Sequence, residues 1–203
     1  MVESHHSDGL FACRQCHTKT TNIFICEDCR LLRIPLPEHN YFSAFQIVIK
    51  FSPDKKLLED KYEDLLELIH PDLFISQDET HQSASLNYSA ILQEAKETLI
   101  NDMRCGLHIL EIYKKRPTKE NLQPSVKFLT EMLVFQEELL ENSDQDGFKI
   151  EINDLYNKKH TKLSTLFGKF LENPNSNQEE VLSALYSELG QFKFISNLYQ
   201  QSR

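Results

Sequence analysis

The sequence predicts an all-α protein: a helical hairpin followed by a three-helix bundle, with a small metal-binding module ahead of both. Three observations lead there. Only 5 of the 203 residues are Gly and none is Trp, while Leu, Glu, Lys and Gln abound, a composition of helix formers. Apolar residues recur at helical spacing over most of the chain beyond residue 40. Four of the five cysteines fall in one short stretch, "CRQCHTKTTNIFICEDC". The boundaries read from these patterns are 1–36 for the cysteine module, 37–117 for the hairpin region and 118–203 for the bundle.

In the module, Cys13-x-x-Cys16 and Cys26-x-x-Cys29 stand nine residues apart. Two such pairs on two tight turns can close a tetrahedron of thiolates, the arrangement a structural zinc ion prefers. All four positions would be filled by protein, so the metal would hold structure and leave no place for a reacting water. An iron–sulfur cluster on the same four thiolates stays open by spacing alone. Disulfides fit poorly, because a largely cysteine-free helical chain follows. His17 directly after Cys16 gives the haem-attachment spacing, but the second pair so close behind argues against haem. The large apolar residues here are few (Leu10, Phe11, Ile23, Phe24, Ile25, Leu31 and Leu32), so metal binding is expected to drive folding. "RIPLPEHN" then reads as a proline-stiffened connector.

Next comes a short helix in "NYFSAFQI", through Phe42, Phe45 and Val48. A long helix follows in "SPDKKLLEDKYEDLLELIH", with Ser52 as its cap and Pro53 at its first position. Leu58, Tyr62, Leu65 and Ile69 line one face, reinforced by Leu66. Pro71 disfavours helical dihedrals at His70 and should end the helix there. The returning helix is expected to open on a capping box, Ser76 to Glu79, and to bury Ala84, Tyr88, Ile91, Ala95 and Leu99. "DMRCGLHILEIYKKR" offers Met103, Leu107 and Leu110, with Cys105 as a buried small hydrophobe, and stops before Pro117.

Pro124 opens the first bundle helix, which carries two adjoining apolar stripes: Phe128, Met132, Phe135 and Leu139 beside Val126, Leu129, Leu133 and Leu140. "NSDQDG" ends it. The second helix holds Ile152, Leu155, Leu163, Leu166 and Phe170. After "ENPNSNQE" and a capping box from Ser176 to Glu179, the third aligns Leu182, Leu185, Leu189 and Phe192.

Bulk properties exclude some classes. Formal net charge is −9, which disfavours nucleic-acid partners that require clustered lysine and arginine. No apolar run approaches the length of a membrane span. The opening "MVESHHSDGLF" reads as neither a signal nor a transit peptide. His70 and Asp72, separated only by proline and without a nucleophile elbow, make a poor hydrolytic dyad, so no catalytic residue and no enzymatic activity are expected.

A short helix, a long helix, His70-Pro71-Asp72 in the loop and a long returning helix resemble a J domain. More narrowly, "NYFSAF", "YEDLLELIHPDLF", "SAILQEAKETL" and "FLTEMLVFQEELLE" resemble the HscB family of J-type co-chaperones of iron–sulfur cluster assembly. The four-cysteine module ahead of them resembles the animal-type members. The resemblance implies that His70, Pro71 and Asp72 dock on a DnaK-type chaperone (a mitochondrial heat-shock chaperone) and stimulate its ATPase. It implies that the C-terminal bundle binds an IscU-type scaffold through Leu129, Leu133, Val134, Glu137, Glu141 and Phe194. The one structural Zn2+ that the spacing assigns to Cys13, Cys16, Cys26 and Cys29 agrees with this resemblance, which also implies a place in the mitochondrial matrix or a related organelle, the cytoplasm being the alternative.

This chain departs from the family pattern at several points. Asp54, Glu59, Asp60, Glu63, Asp64 and Glu67 outnumber Lys55, Lys56 and Lys61 on a helix that relatives keep basic, which weakens steering toward an acidic chaperone surface. Gln93-Glu94-Ala95-Lys96 replaces the usual pattern on the returning helix. Thr130, Val134 and Gln136 stand where relatives often carry methionine, glutamate and arginine. The rival readings are a general J-type co-chaperone for unfolded clients and a zinc-module regulatory protein.

Overall fold

The computed structural model describes residues 11–20, 22, 24–32, 40–141 and 145–201. Leu10, Ile23 and the connector at 33–39 lie outside them, as do the side chains of Phe11, Leu139, Leu140 and Glu141. The chain is mostly helical, as the composition predicts. Contacts divide it into two compact units: Met1–Ile49 with Pro53–Asn101, and Lys50–Ser52 with Asp102–Arg203. The division falls inside the segment 37–117.

In the first unit, strands β1 (Phe11–Ala12) and β2 (Lys19–Thr20) pair antiparallel, Phe11 opposite Thr20 and Ala12 opposite Lys19. A bridge joins Ile25 and Leu32. The short helix α1 (Tyr41–Ala44) is capped by the Asn40 side chain and buries Phe42 and Ala44. Phe45 is buried too, but Val48 points to solvent and leaves the expected stripe.

Helix α2 (Lys55–Ile69) starts two residues later than Ser52 would set it. Asp54 caps it, its Oδ1 accepting from the Lys56 and Leu57 amides at 2.9 and 3.0 Å. Ser52 itself sits at φ 52°, in the left-handed region, and cannot occupy a cap, which needs extended dihedrals. A 3-10 turn (Pro71–Phe74) follows, then α3 (Glu79–Ile100). Here too the cap moves, from Ser76 to Asp78, whose carboxylate takes the Thr80 and His81 amides. In both cases a carboxylate two residues downstream wins, since charge-assisted acceptance at a helix N-terminus is stronger than a hydroxyl's. The buried face of α3 is Ser85, Tyr88, Leu92, Ala95, Thr98 and Leu99; Ala84 and Ile91 lie at its border, half-buried.

The second unit begins with α4 (Asp102–Ile112), which buries Cys105, Gly106, Ile109 and Leu110, while Met103 and Leu107 stay half-buried. Cys105 is inaccessible, its Sγ 3.7 Å from the Lys50 carbonyl, so its role as a packed small side chain holds. Phe51 stacks on Phe167 with ring centroids 4.8 Å apart. Helix α5 (Val126–Glu141) opens on Ser125, whose hydroxyl accepts from the Phe128 amide at 3.2 Å, so its first residue lies two beyond Pro124.

Helices α6 (Gln145–Glu172) and α7 (Glu179–Gln201) form a long pair that buries Leu163, Phe167, Phe170, Leu185, Leu189 and Phe192. Phe167 takes the buried place expected of Leu166. The expected break at "NSDQDG" is shorter than its composition suggests, because "QDG" is already helical in α6; residues 142–144 lie outside the described residues. Ser176 does not cap α7; its hydroxyl turns back to the Asn173 carbonyl at 2.8 Å, serving the end of α6. Gln178 also closes α6, donating to the Phe170 and Asn173 carbonyls. Among the described residues no helix is long and apolar enough to cross a membrane.

Candidate functional site

Three places bring together residues with more to do than fill a core. The first is the cysteine cluster. Two short turns, closed by the His17 amide on the Cys13 carbonyl and the Arg30 amide on the Cys26 carbonyl, aim all four sulfurs at one point. His17 and Arg30 both carry positive φ, 61° and 55°, which each turn requires to double back. The four Sγ atoms lie within 4.8 Å of one another, with Cys13–Cys29 and Cys16–Cys26 each at 3.5 Å.

That spacing suits a single tetrahedral ion: bonds of about 2.3 Å place thiolates roughly 3.8 Å apart. A multi-iron cluster inserts several metal atoms between the thiolates and would spread them further. The local fields are uneven. The Cys16 and Gln15 amides pull Cys13 down to about 6. The Thr18 hydroxyl and amide hold Cys16 below the ordinary thiol value. Cys29 gains from the Leu31 amide, yet burial and the neighbouring thiols push it up to about 12. Several thiolates cannot crowd together uncompensated, so the set calls for a cation. Cys13, Cys16, Cys26 and Cys29 are thus a site able to hold a metal ion.

The second place is the turn His70-Pro71-Asp72. His70 ends α2 with extended dihedrals (φ −55°, ψ 134°), as a residue before proline must. Its Nδ1 accepts from the Asp72 amide at 3.3 Å, and its carbonyl takes the Leu73 amide at 3.0 Å. Phe74 is buried and pins the far side of the turn, while the His70 and Asp72 side chains are 49% and 78% exposed. An acceptor-only carboxylate and an imidazole edge are thereby offered outward on a rigid base.

Behind this turn the acidic face of α2 is real: Asp60, Glu63, Asp64 and Glu67 are exposed. Glu59 is engaged otherwise, with Lys96 at 3.1 Å, and Lys96 lies 3.8 Å over the Tyr62 ring. Tyr62 donates to Gln93 at 2.8 Å. Gln93 and Lys96, the departures on the returning helix, form a polar latch between α2 and α3. Nothing in the local sequence announces it, because partners 31 and 37 residues apart meet only once both helices pack.

The third place is the surface of α5. Phe128 and Met132 face inward, against Ile152, Ile195 and Leu198, with Leu129, Phe135 and Phe194 partly buried around them. Phe194 meets Phe128 edge-on at 6.0 Å. Leu133 and Val134 are 57% and 46% exposed, and Glu137 is exposed as well. The Glu141 side chain lies outside the described residues. Lys127, Thr130, Glu131, Val134 and Phe135 line an open groove of about 450 Å³. So the two stripes part company: Phe128 and Met132 are core, whereas Val126, at 81% exposure, and Leu133 stand at the surface, with Leu129 of the same stripe half-buried between them.

No protein-family model matches the chain. It is 28% identical over 142 residues to the human iron–sulfur cluster co-chaperone protein HscB, covering 70% of this chain and 60% of that protein. The mouse protein of the same name is 30% identical over 117 residues, 57% of this chain and 50% of its own length. The chain thus spans between half and two thirds of these mammalian relatives. The crystal structure of human co-chaperone HscB matches with a TM-score of 0.71 at 23% identity, over 94% of this chain and 95% of that one. Chaperone HscB from Vibrio cholerae matches with a TM-score of 0.67 at 22% identity, over 81% and 95%. The helical fold is therefore the one those proteins share, and the relatives support kinship with the HscB co-chaperones.

Proposed function

We propose that this chain is an HscB-type co-chaperone of iron–sulfur cluster assembly, with an animal-type cysteine module. One observation carries the reading: in a chain similar to HscB proteins, His70-Pro71-Asp72 is held outward between two packed helices. On this reading residues 37–117 act as a J domain that docks on a DnaK-type chaperone and triggers its ATP hydrolysis. Asp72 would accept an arginine of the chaperone, Pro71 keeps the turn rigid, and His70 supplies a second hydrogen-bonding edge.

Residues 118–203 grip an IscU-type scaffold through the exposed face of α5, with Leu133, Val134 and Glu137 as the accessible contacts. Leu129 and Phe194 contribute from their half-buried places, and Glu141 from the helix end. The apolar centre exceeds what a bundle helix needs, which suits a partner surface. Residues 1–36 are the module in which Cys13, Cys16, Cys26 and Cys29 hold one structural Zn2+; bound, the ion supplies four bonds that fasten the two turns. ATP hydrolysis belongs to the chaperone, and this chain contributes binding and orientation. On the same reading the protein works in the mitochondrial matrix or a related organelle.

The test is the ATPase rate of a cognate DnaK-type chaperone with scaffold present. The chain should stimulate it and His70→Gln should barely do so. Leu133→Ser combined with Val134→Ser should retain the stimulation seen without scaffold and lose the increment that scaffold adds. A chaperone indifferent to the wild-type chain, with and without scaffold, overturns the proposal.

A further inference from the structure

The last carbonyls of a helix lack partners within it, and α2 ends where the shortage is sharpest. Pro71 has no amide, and the Leu73 amide is committed to the His70 carbonyl. The Ile69 carbonyl, directly before the turn, is taken instead by the Ser85 hydroxyl of α3 at 2.5 Å, in a fully buried site. One turn further along the same face stands Tyr88, also inaccessible, and against its ring packs Phe24, with centroids 5.1 Å apart. Phe24 belongs to the cysteine module, two residues before Cys26. Its backbone is set by Asn22, whose Oδ1 accepts the Phe24 and Ile25 amides at 2.9 and 3.2 Å.

We infer that Phe24, Tyr88 and Ser85 are positioning residues that couple the metal module to the His-Pro-Asp turn. The module is a brace on α3: with the ion bound, Phe24 is seated, the Tyr88–Ser85 face is fixed in register, and the Ile69 carbonyl anchors the turn. The inference deepens the docking role proposed above and rests on it for its consequence, but the coupling itself is internal to this chain. Metal occupancy thereby sets how well the docking turn is preorganised, which makes the module a regulator of docking in addition to a staple. The path needs a seated Phe24 because Tyr88 is otherwise left facing a void, and a loosened α3 face lets a buried hydroxyl drift from its carbonyl.

The experiment measures amide hydrogen exchange on the full chain, zinc-loaded, alongside metal content. Variants are Phe24→Ala, Ser85→Ala and the wild type stripped by chelator. Exchange at Asp72 and Leu73 should rise about tenfold or more in all three, as a local opening does. Amides in the middle of α2 and in α6 and α7 should hold, and both variants should still carry one zinc. Should Phe24→Ala lose its metal, Phe24→Leu, which keeps apolar bulk beside Tyr88, takes its place and should show a smaller rise. Unchanged exchange at Asp72 and Leu73 after chelation, or a rise shared equally by all of α2 and the bundle, overturns the coupling. Exchange needs no chaperone: if it rises as expected while the wild-type chain fails to stimulate the ATPase, the docking proposal falls and the brace stands.

Discussion

Between Phe11 and Leu32 the described chain buries Cys13, Phe24, Ile25, Cys26 and Leu32 as its apolar interior, and two of those are sulfurs aimed at a common point. In α6 and α7 the interior is a continuous seam from Ile152 through Phe167 and Phe170 to Leu185, Leu189, Phe192 and Ile195, each at most 1% exposed. The first region has too little apolar area to offset the ordering of its backbone, since a fully buried large side chain contributes only about 1.5–3 kcal/mol. The second has enough. The difference teaches where each region can fail: one through its four clustered thiols, the other through any atom that disturbs a dense seam.

The largest effect should therefore come from Cys26→Ser. Structural zinc contributes on the order of 10 kcal/mol to folding a small module, and a serine hydroxyl cannot replace a thiolate. Amides of 13–32 should lose protection and zinc should fall below one equivalent, while far-UV circular dichroism and exchange in α6 and α7 remain as in the wild type. Simultaneous melting of both regions would break the comparison. The same site should lose metal as pH falls, because the ligands bind as thiolates; release on acidification is read by a zinc dye.

The bundle should be most sensitive where it is tightest. A Cβ on Gly190 would stand 2.3 Å from the Leu122 carbonyl oxygen, and a backbone carbonyl cannot step aside as a flexible side chain can. Gly190→Ala should cost about 1–3 kcal/mol by overpacking, seen as a lower denaturant midpoint. Gly168, in the same helical pair, has nothing within 4 Å of such a Cβ. Gly168→Ala should stabilise by about 0.5–1 kcal/mol through helix propensity alone. Equal responses at the two glycines would show that the seam is looser than described.

How much of this was legible beforehand follows from the range of the forces involved. Cys13 to Cys29, the turn at Pro71 and the seam of Leu182, Leu185, Leu189 and Phe192 are written in local spacing, and the structure places them as the spacing implies. Ser52 and Ser76 resemble caps in the sequence because two candidate acceptors stand close together and only the folded backbone chooses between hydroxyl and carboxylate. The face of α3 was drawn through Ala84 and Ile91 because a helix packed on more than one side has no single stripe. Ser85 left no signal at all: its hydrogen bond to Ile69 spans 16 residues and depends on the hairpin having closed. On α5, periodicity gives both apolar stripes but not which residues stay free; only packing leaves Val126 and Leu133 at the surface and half-buries Leu129.

The smallest effect concerns Glu188, a carboxylate buried among apolar residues of the seam. Glu188 is 5% exposed and lies between Lys159, at 3.0 Å, and Lys162, at 2.5 Å. Lys159 also bonds Gln191. Burial pushes the Glu188 carboxyl up, but the two ammonium groups outweigh it and hold the group below the ordinary glutamate range. A depressed folded value means the unfolded chain takes up the proton first as pH falls. The stabilisation is therefore complete above the usual glutamate value of about 4.3 and is lost as pH drops through the lower folded value. Denaturant unfolding of the wild type between pH 6 and pH 2 should show that loss, and Glu188→Gln, less stable at neutral pH, should show a shallower slope below about pH 4.3. Parallel slopes in the two proteins would mean that the seam is held by its apolar contacts alone and that the lysine pair is incidental to it.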